Sequence, residues 1–176
     1  MIIVIGGRAG SGKSTIAKLV AKKLKLKHYS IGDLQRNIAK EKGITLMELS
    51  KLEEKDSSID KRLDEKQKGL GIKEDNFVID GRLSAFFIPK STKIFLDADE
   101  KIRAERILKD ERSTEKSEDI DKAIENIKKR EESENNRFKE YYGFNCYDKT
   151  KFDFVVDTSN LTVEGTVNKI INLIKK

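Results

Sequence analysis

The chain has 176 residues, 36% hydrophobic and 39% charged, which is the size and composition of one compact domain carrying modest insertions. No apolar run reaches the roughly 20 residues needed to cross a bilayer, and the amino terminus lacks the order of a signal peptide, so a cytoplasmic protein without a membrane partner is expected. Lys and Arg are interleaved with Asp and Glu, so the net charge of +6 describes a solvated surface with a mild attraction for anions and excludes a nucleic-acid-binding run.

Short runs rich in Val, Ile and Phe alternate with longer segments of helical period, which predicts an α/β fold with a parallel sheet. Strands are expected over residues 2–5, 27–30, 77–80, 93–96 and 154–156, five in one sheet. The first, within "MIIVI", runs into "GGRAGSGKST", where Gly7, Gly12, Lys13 and Ser14 satisfy G-x-x-x-x-G-K-[ST] between a strand and a helix. This is a phosphate-binding P-loop. The candidate nucleotide-binding set is therefore Gly7, Arg8, Ala9, Gly10, Ser11, Gly12, Lys13, Ser14 and Thr15. Glycines let backbone N–H groups turn inward on phosphate oxygens, Lys13 reaches the outer phosphates, and the Ser14 hydroxyl suits Mg²⁺.

After the second strand, "SIGDLQR" brings Ser30, Gly32 and Arg36 together, and Arg36 is either a second phosphate ligand or a surface arginine. His28, just before, reads as a structural ring. A helical insertion follows that is too long for a minimal crossover; on it Asp60, Asp64 and Gln67 share one face, as plain surface or to read a base edge. In "VIDGRLS", Asp80 stands at the carboxyl end of the third strand, the edge where open α/β sheets bind ligands. That carboxylate can serve a metal's water shell or a ribose hydroxyl, Gly81 permits close approach, and Arg82 offers a fork to phosphate or base.

A second helical excess runs over 109–142, with Ile120, Ala123, Ile124 and Ile127 as one apolar stripe. Beyond it Arg130, Glu134 and Arg137 stand at i, i+4 and i+7, a spacing that serves a solvated face or a catalytic lid. Cys146 reads as a spare thiol. Thr158 and Ser159 end the last strand and cap a final helix over 163–175, or contact adenine. No Asn-Lys-x-Asp guanine-reading motif is present, and the chain is short for a motor or a transporter subunit.

The stretches "GGRAGSGKST", "SIGDLQRNIAKEKG", "IDKRLDEKQ", "VIDGRLS", "RAERI" and "KKREESENNRFKEYYG" together resemble the nucleoside monophosphate kinases, and most closely the archaeal-type cytidylate kinases. The resemblance implies a single P-loop NTPase domain with core 1–31, 76–108 and 143–176, a monophosphate-binding insertion over 32–75 and a lid region over 109–142. It implies transfer of the γ-phosphoryl group of ATP, with Mg²⁺, to CMP or dCMP by a monomer; the rivals are an AMP or UMP kinase and an ATP-dependent switch or assembly factor. Lys13, Arg130 and Arg137 would be catalytic, and Ser30, Gly32, Arg36, Asp80, Gly81, Arg82 and Glu134 would bind the acceptor. Ser14 and Asp80 would serve the metal, and Arg106 would assist. The family's lid pattern, Arg-Asp-x-x-Asp-x-x-Arg, is matched by Arg130, Glu131, Glu134 and Arg137 with Glu in place of both Asp; Arg8 stands where relatives often carry proline.

Overall fold

Alternation along each strand decides which side of the sheet a residue faces. In a computed structural model that describes residues 1–110 and 119–175, β1 (Ile2–Gly7) sends Ile3 and Ile5 to one side and Val4 to the other. The same division holds in β3 (Phe77–Asp80), with Val78 against Phe77 and Ile79, and in β4 (Thr92–Asp97), with Ile94 and Leu96 against Phe95. Both faces are therefore apolar, as a parallel sheet covered on both sides requires. With β2 (Lys27–Ser30) and β5 (Phe154–Asp157) at the edges, the order is β2-β3-β1-β4-β5, and every pair is parallel.

The expected strands are all present. β1 extends to Gly7 because Gly6 and Gly7 still pair with Phe95 and Leu96: the backbone ladder ends the strand, not the last apolar side chain. Helices α1 (Lys13–Leu24) and α8 (Val163–Ile174) cover the face that carries Ile3, Ile5 and Leu96. Thr162 caps α8, accepting from the Gly165 N–H at 3.0 Å, so the expected capping by Thr158 or Ser159 falls a few residues early.

The opposite face is covered by α2 (Ile31–Lys42), α3 (Leu46–Glu53), α4 (Ser58–Lys73) and α5 (Ser84–Phe87). The first three form the insertion between β2 and β3. Their starts are locally specified: Ser30 accepts from the Asp33 N–H ahead of α2, and Thr45 and Glu48 make a reciprocal capping box ahead of α3. Helix α6 (Glu100–Lys109) packs on α7 (Ile120–Tyr142) through Ala104, Ala123 and Ile127, with Ile120 and Ile124 at the margin. Residues 111–118 of the expected lid region lie outside the described residues. A 3₁₀ turn, Lys149–Lys151, leads into β5.

Strand order reverses about β1, with β3 and β2 on one side and β4 and β5 on the other. Ligands of such sheets bind outside the carboxyl ends at that reversal. The loop after β1 and Asp80 at the end of β3 meet there, since Asp80 is in register with Ile5 of β1 and Ser30 of β2.

Candidate active site

The phosphate loop owes its path to glycines. Gly7, at φ 133°, lies so close to β4 that a Cβ would come within 2.0 Å of the Leu96 carbonyl oxygen. Gly10, at φ 76°, is pressed against α6, where a Cβ would stand 2.4 Å from the Arg103 carbonyl oxygen. Helix α1 opens behind the loop with no side-chain cap and no acidic residue in its first turn, which leaves its N-terminal amides and dipole for an anion. Lys13 folds over the loop and its Nζ donates to the Arg8 carbonyl at 2.6 Å. Burial, and after it the charge of Arg82, pushes the Lys13 ammonium down to about 7, against the pull of Asp80 and Glu131.

Asp80 is 1% exposed and fully engaged. Its Oδ2 accepts from Ser14 Oγ at 2.8 Å and Ser30 Oγ at 2.9 Å, while Oδ1 lies 2.8 Å from His28 Nε2. The Ser14 hydroxyl and the Asp80 carboxylate are oxygen donors of the kind that hard divalent cations take, and they converge beside the loop that would hold a polyphosphate. The donor set fits Mg²⁺.

A cavity of about 510 Å³ runs from this loop to the insertion. Its middle is cationic, with Arg36, Arg82 and Arg130 joining Lys13, and its far wall is α4, with Asp60, Asp64 and Gln67. Each wall group is oriented from behind. Tyr142 donates to Asp64, and Ser84 Oγ donates to Gln67 Oε1 at 2.7 Å, which turns the Gln67 amide nitrogen away from that bond. Burial pushes Asp64 up to about 6, opposed by the Tyr142 hydrogen bond. Arg82 Nη1 lies 2.7 Å from Glu134, which also pairs with Arg130 at 3.3 Å. Although burial opposes it, Glu134 holds the Arg82 guanidinium above its ordinary pKa. Among the described residues Arg82 Nε is buried without a hydrogen-bond partner.

Of the residues expected at the site, Ala9, Gly10, Ser11, Gly12, Lys13, Ser14, Thr15, Gly32, Arg36, Asp80, Gly81, Arg82 and Arg130 line this cavity. Five stand behind its wall. Gly7 lies under the loop against Leu96, and Ser30 is spent on Asp80 and the α2 cap. Arg8 turns outward to Glu131 at 2.8 Å and over the Tyr147 ring, and Glu134 sits between the arginines it pairs. Arg137, expected over the moving phosphoryl group, instead lies buried between Glu53 at 2.8 Å and Asp60 at 2.9 Å. Two buried carboxylates hold it there. Arg106 lines the cavity, where it grips the Thr158 hydroxyl and carbonyl at 2.9 and 2.8 Å.

Sequence reasoning missed the partners of His28, Glu131, Asp64 and Gln67. Two signals were available. His28 and Ser30 are alternate residues of β2 and share a face; and the apolar stripe through Ala123 and Ile127, continued at helical spacing, runs into Glu131 and Glu134, both buried.

The family model for the cytidylate kinase-like family matches residues 2–160. The chain is 39% identical to the cytidylate kinase of Methanocaldococcus jannaschii, over 99% of this chain and 97% of that one. It is likewise 39% identical to the cytidylate kinase of Sulfurisphaera tokodaii, over 97% and 93%. Among solved structures it resembles shikimate kinase from Bacteroides thetaiotaomicron, with a TM-score of 0.70 at 15% identity over 100% and 99% of the two chains, a likeness of fold. A P-loop at the sheet's point of reversal, a cationic cavity and a polar far wall thus occur in a chain matched nearly end to end, and the chain belongs to the cytidylate kinase-like family.

Proposed function

We propose that this protein transfers the γ-phosphoryl group of ATP to CMP or dCMP, releasing ADP and the pyrimidine diphosphate. The observation that carries this reading is the continuity of one cavity from the phosphate loop, past Lys13, Arg82 and Arg130, to the polar wall of α4. A protein that only binds or hydrolyses ATP needs the first part of that cavity and has no use for the second.

The loop amides take the donor's β- and γ-phosphates. Lys13 exchanges the Arg8 carbonyl for a phosphate oxygen, and the gained anionic partner restores its positive charge. Adenine lies toward Arg106 and Thr158, and the acceptor phosphate is held by Arg36 and Arg82. At the far wall the exocyclic amine of cytosine donates to Asp64. The Gln67 amide, with its oxygen taken by Ser84, donates to the ring nitrogen or carbonyl beside it. Uracil places a carbonyl where Asp64 needs a donor, so the wall discriminates between the two pyrimidines.

In the transfer, an oxygen of the CMP phosphate forms a bond to the γ-phosphorus as the bond to the β–γ bridging oxygen breaks, the electron pair leaving with ADP. Such a loose transition state is served by alignment and spread positive charge, which Lys13, Arg82 and Arg130 provide without a covalent intermediate. Ser14 and Asp80 would hold Mg²⁺, with His28 and Ser30 fixing the carboxylate. When bound, the ion supplies charge neutralisation at the donor phosphates. Glu134 orients Arg82 and Arg130, while Arg137 acts at a distance by holding α3 and α4 to α7.

The test is ADP formation from ATP and Mg²⁺ with CMP, dCMP, UMP, AMP and GMP in turn, alongside Arg82→Ala. CMP and dCMP should stimulate strongly, and the variant should lose about a hundredfold, the effect of removing one preorganised donor. Rates no higher than with ATP alone, for every monophosphate, would end the kinase reading.

A further inference from the structure

Glu131 has no place in the cavity, yet it is 4% exposed and carries three bonds to other elements. Its Oε1 accepts from the Ala9 backbone N–H at 2.9 Å and from Arg103 Nη1 at 3.0 Å, and its Oε2 accepts from Arg8 Nη1 at 2.8 Å. The same Arg103 nitrogen donates to the Ala9 carbonyl at 3.1 Å, and Arg103 Nε donates to the Ala98 carbonyl at 3.2 Å. Both peptide groups of Ala9 are thus held from behind, the N–H by α7 and the carbonyl by α6.

Ala9 lines the cavity and Glu131 does not, so the carboxylate approaches the loop from the side away from the phosphates and does not compete with them. Its charge is balanced by two arginines, which makes the buried carboxylate a stable fixture. The next residue in the loop, Gly10, rests on the Arg103 backbone. The preceding one, Arg8, offers its carbonyl to both Lys13 Nζ and Ser11 Oγ. Fixing Arg8 and Ala9 therefore fixes the frame from which the loop amides and Lys13 reach the donor.

We propose that Glu131 is a positioning residue for the donor nucleotide: from α7 it holds the outer arc of the phosphate loop, together with Arg103, in the shape that binds a polyphosphate. This deepens the kinase reading, on which the identity of the donor rests. A preorganised loop binds more tightly because less ordering remains to be done on binding.

The test is the Kd for ADP by titration calorimetry, with KM for ATP and for CMP measured separately, on the wild type, Glu131→Ala and Glu131→Gln. Glu131→Ala should weaken ADP about tenfold or more, the cost of a lost charge-assisted hydrogen bond. It should raise KM for ATP alike and leave KM for CMP within about twofold. Glu131→Gln keeps an acceptor for the Ala9 N–H and should recover most of the ADP affinity. If Glu131→Ala does not fold, Arg103→Lys, which loses the grip on the Ala9 carbonyl, should show the same donor-selective loss. Wild-type ADP affinity in the folded variants, a loss shared equally by both substrates, or a glutamine variant no better than alanine would overturn the assignment. ADP binding needs no transfer: a wild type that binds ADP but phosphorylates no monophosphate would refute the kinase reading and leave this inference to the ADP affinities.

Discussion

Arg137 offers a sharp test of what holds the helical insertion to α7. Its Nε donates to Asp60 on α4 and its Nη2 to Glu53 on α3, with all three side chains no more than 5% exposed. Replacing it with methionine keeps most of the volume and leaves two buried carboxylates facing each other. Breaking one side of a buried pair costs about 3–5 kcal/mol. In a domain of this size that lowers Tm by roughly 6–20 °C.

The cost should depend on pH. Burial, then the charge of Asp60, pushes Glu53 up to about 7, and burial raises Asp60 as well. A carboxyl whose folded pKa lies above its unfolded value binds more protons in the folded state. Its contribution to stability is full below the unfolded value near 4.5 and is lost as pH rises through about 7. In Arg137→Met the opposing cation is gone, so the carboxyls can be tolerated only when protonated. Thermal melts at pH 5.5, 7 and 8.5 should therefore show the wild type losing some stability toward high pH and the variant losing much more. Glu53→Gln should flatten the dependence in both backgrounds. A destabilisation under about 1 kcal/mol, or one equal at all three pH values, would refute the reasoning.

Gly10→Ala should abolish ADP binding in calorimetry, since the added Cβ meets the Arg103 carbonyl at 2.4 Å and the φ of 76° disfavours any side chain; wild-type affinity would show that the loop tolerates another path. Asp64→Asn should reduce the preference for CMP over UMP, measured as the ratio of kcat/KM, by about tenfold, because an amide can present a donor to the uracil carbonyl. Ser14→Ala removes one of the oxygens proposed for Mg²⁺ and should shift the magnesium dependence of the rate to higher concentration, while the lost hydrogen bond to buried Asp80 should lower Tm by roughly 3–12 °C. Cys146, 1% exposed and with its thiol pushed up to about 12 by burial, should react with a disulfide reagent only as the protein unfolds, and rapid labelling of the native state would contradict that packing.

What was legible in the chain follows from the range of each interaction. Strand alternation and the phosphate loop are local patterns, so five strands and the loop's context follow from runs of a few residues. Asp80 was legible as well, because strand ends in such sheets point to the ligand edge. The partners of Arg137 were not, since Glu53 and Asp60 lie 84 and 77 positions away and its spacing from Glu134 and Arg130 suggests bridges within one helix. Of those bridges, the one between Arg130 and Glu134 does form, at 3.3 Å. His28 holds the structural place expected of it, but its partner Asp80 was not legible, being 52 positions distant and a neighbour only through the pairing of β2 with β3.

The same reasoning explains why α7 is so heavily charged on its inner side. A helix packed on a core normally keeps its buried stripe apolar, and the first turns of α7 do so with Ala123 and Ile127 against α6. Farther along, the stripe becomes Glu131, Glu134 and Arg137, each buried and each paired to a different part of the site: the phosphate loop, Arg82, and the insertion. Buried charges survive only where a partner waits, so this order along one helix dictates the order of the pieces around the cavity. A shift of α7 by a single turn would unpair all three at once. The helix therefore holds the phosphate loop, Arg82 and the insertion in one register, and substitutions along it should divide by partner: Glu131 felt in the donor KM, Glu134 in phosphoryl transfer, and Arg137 in stability.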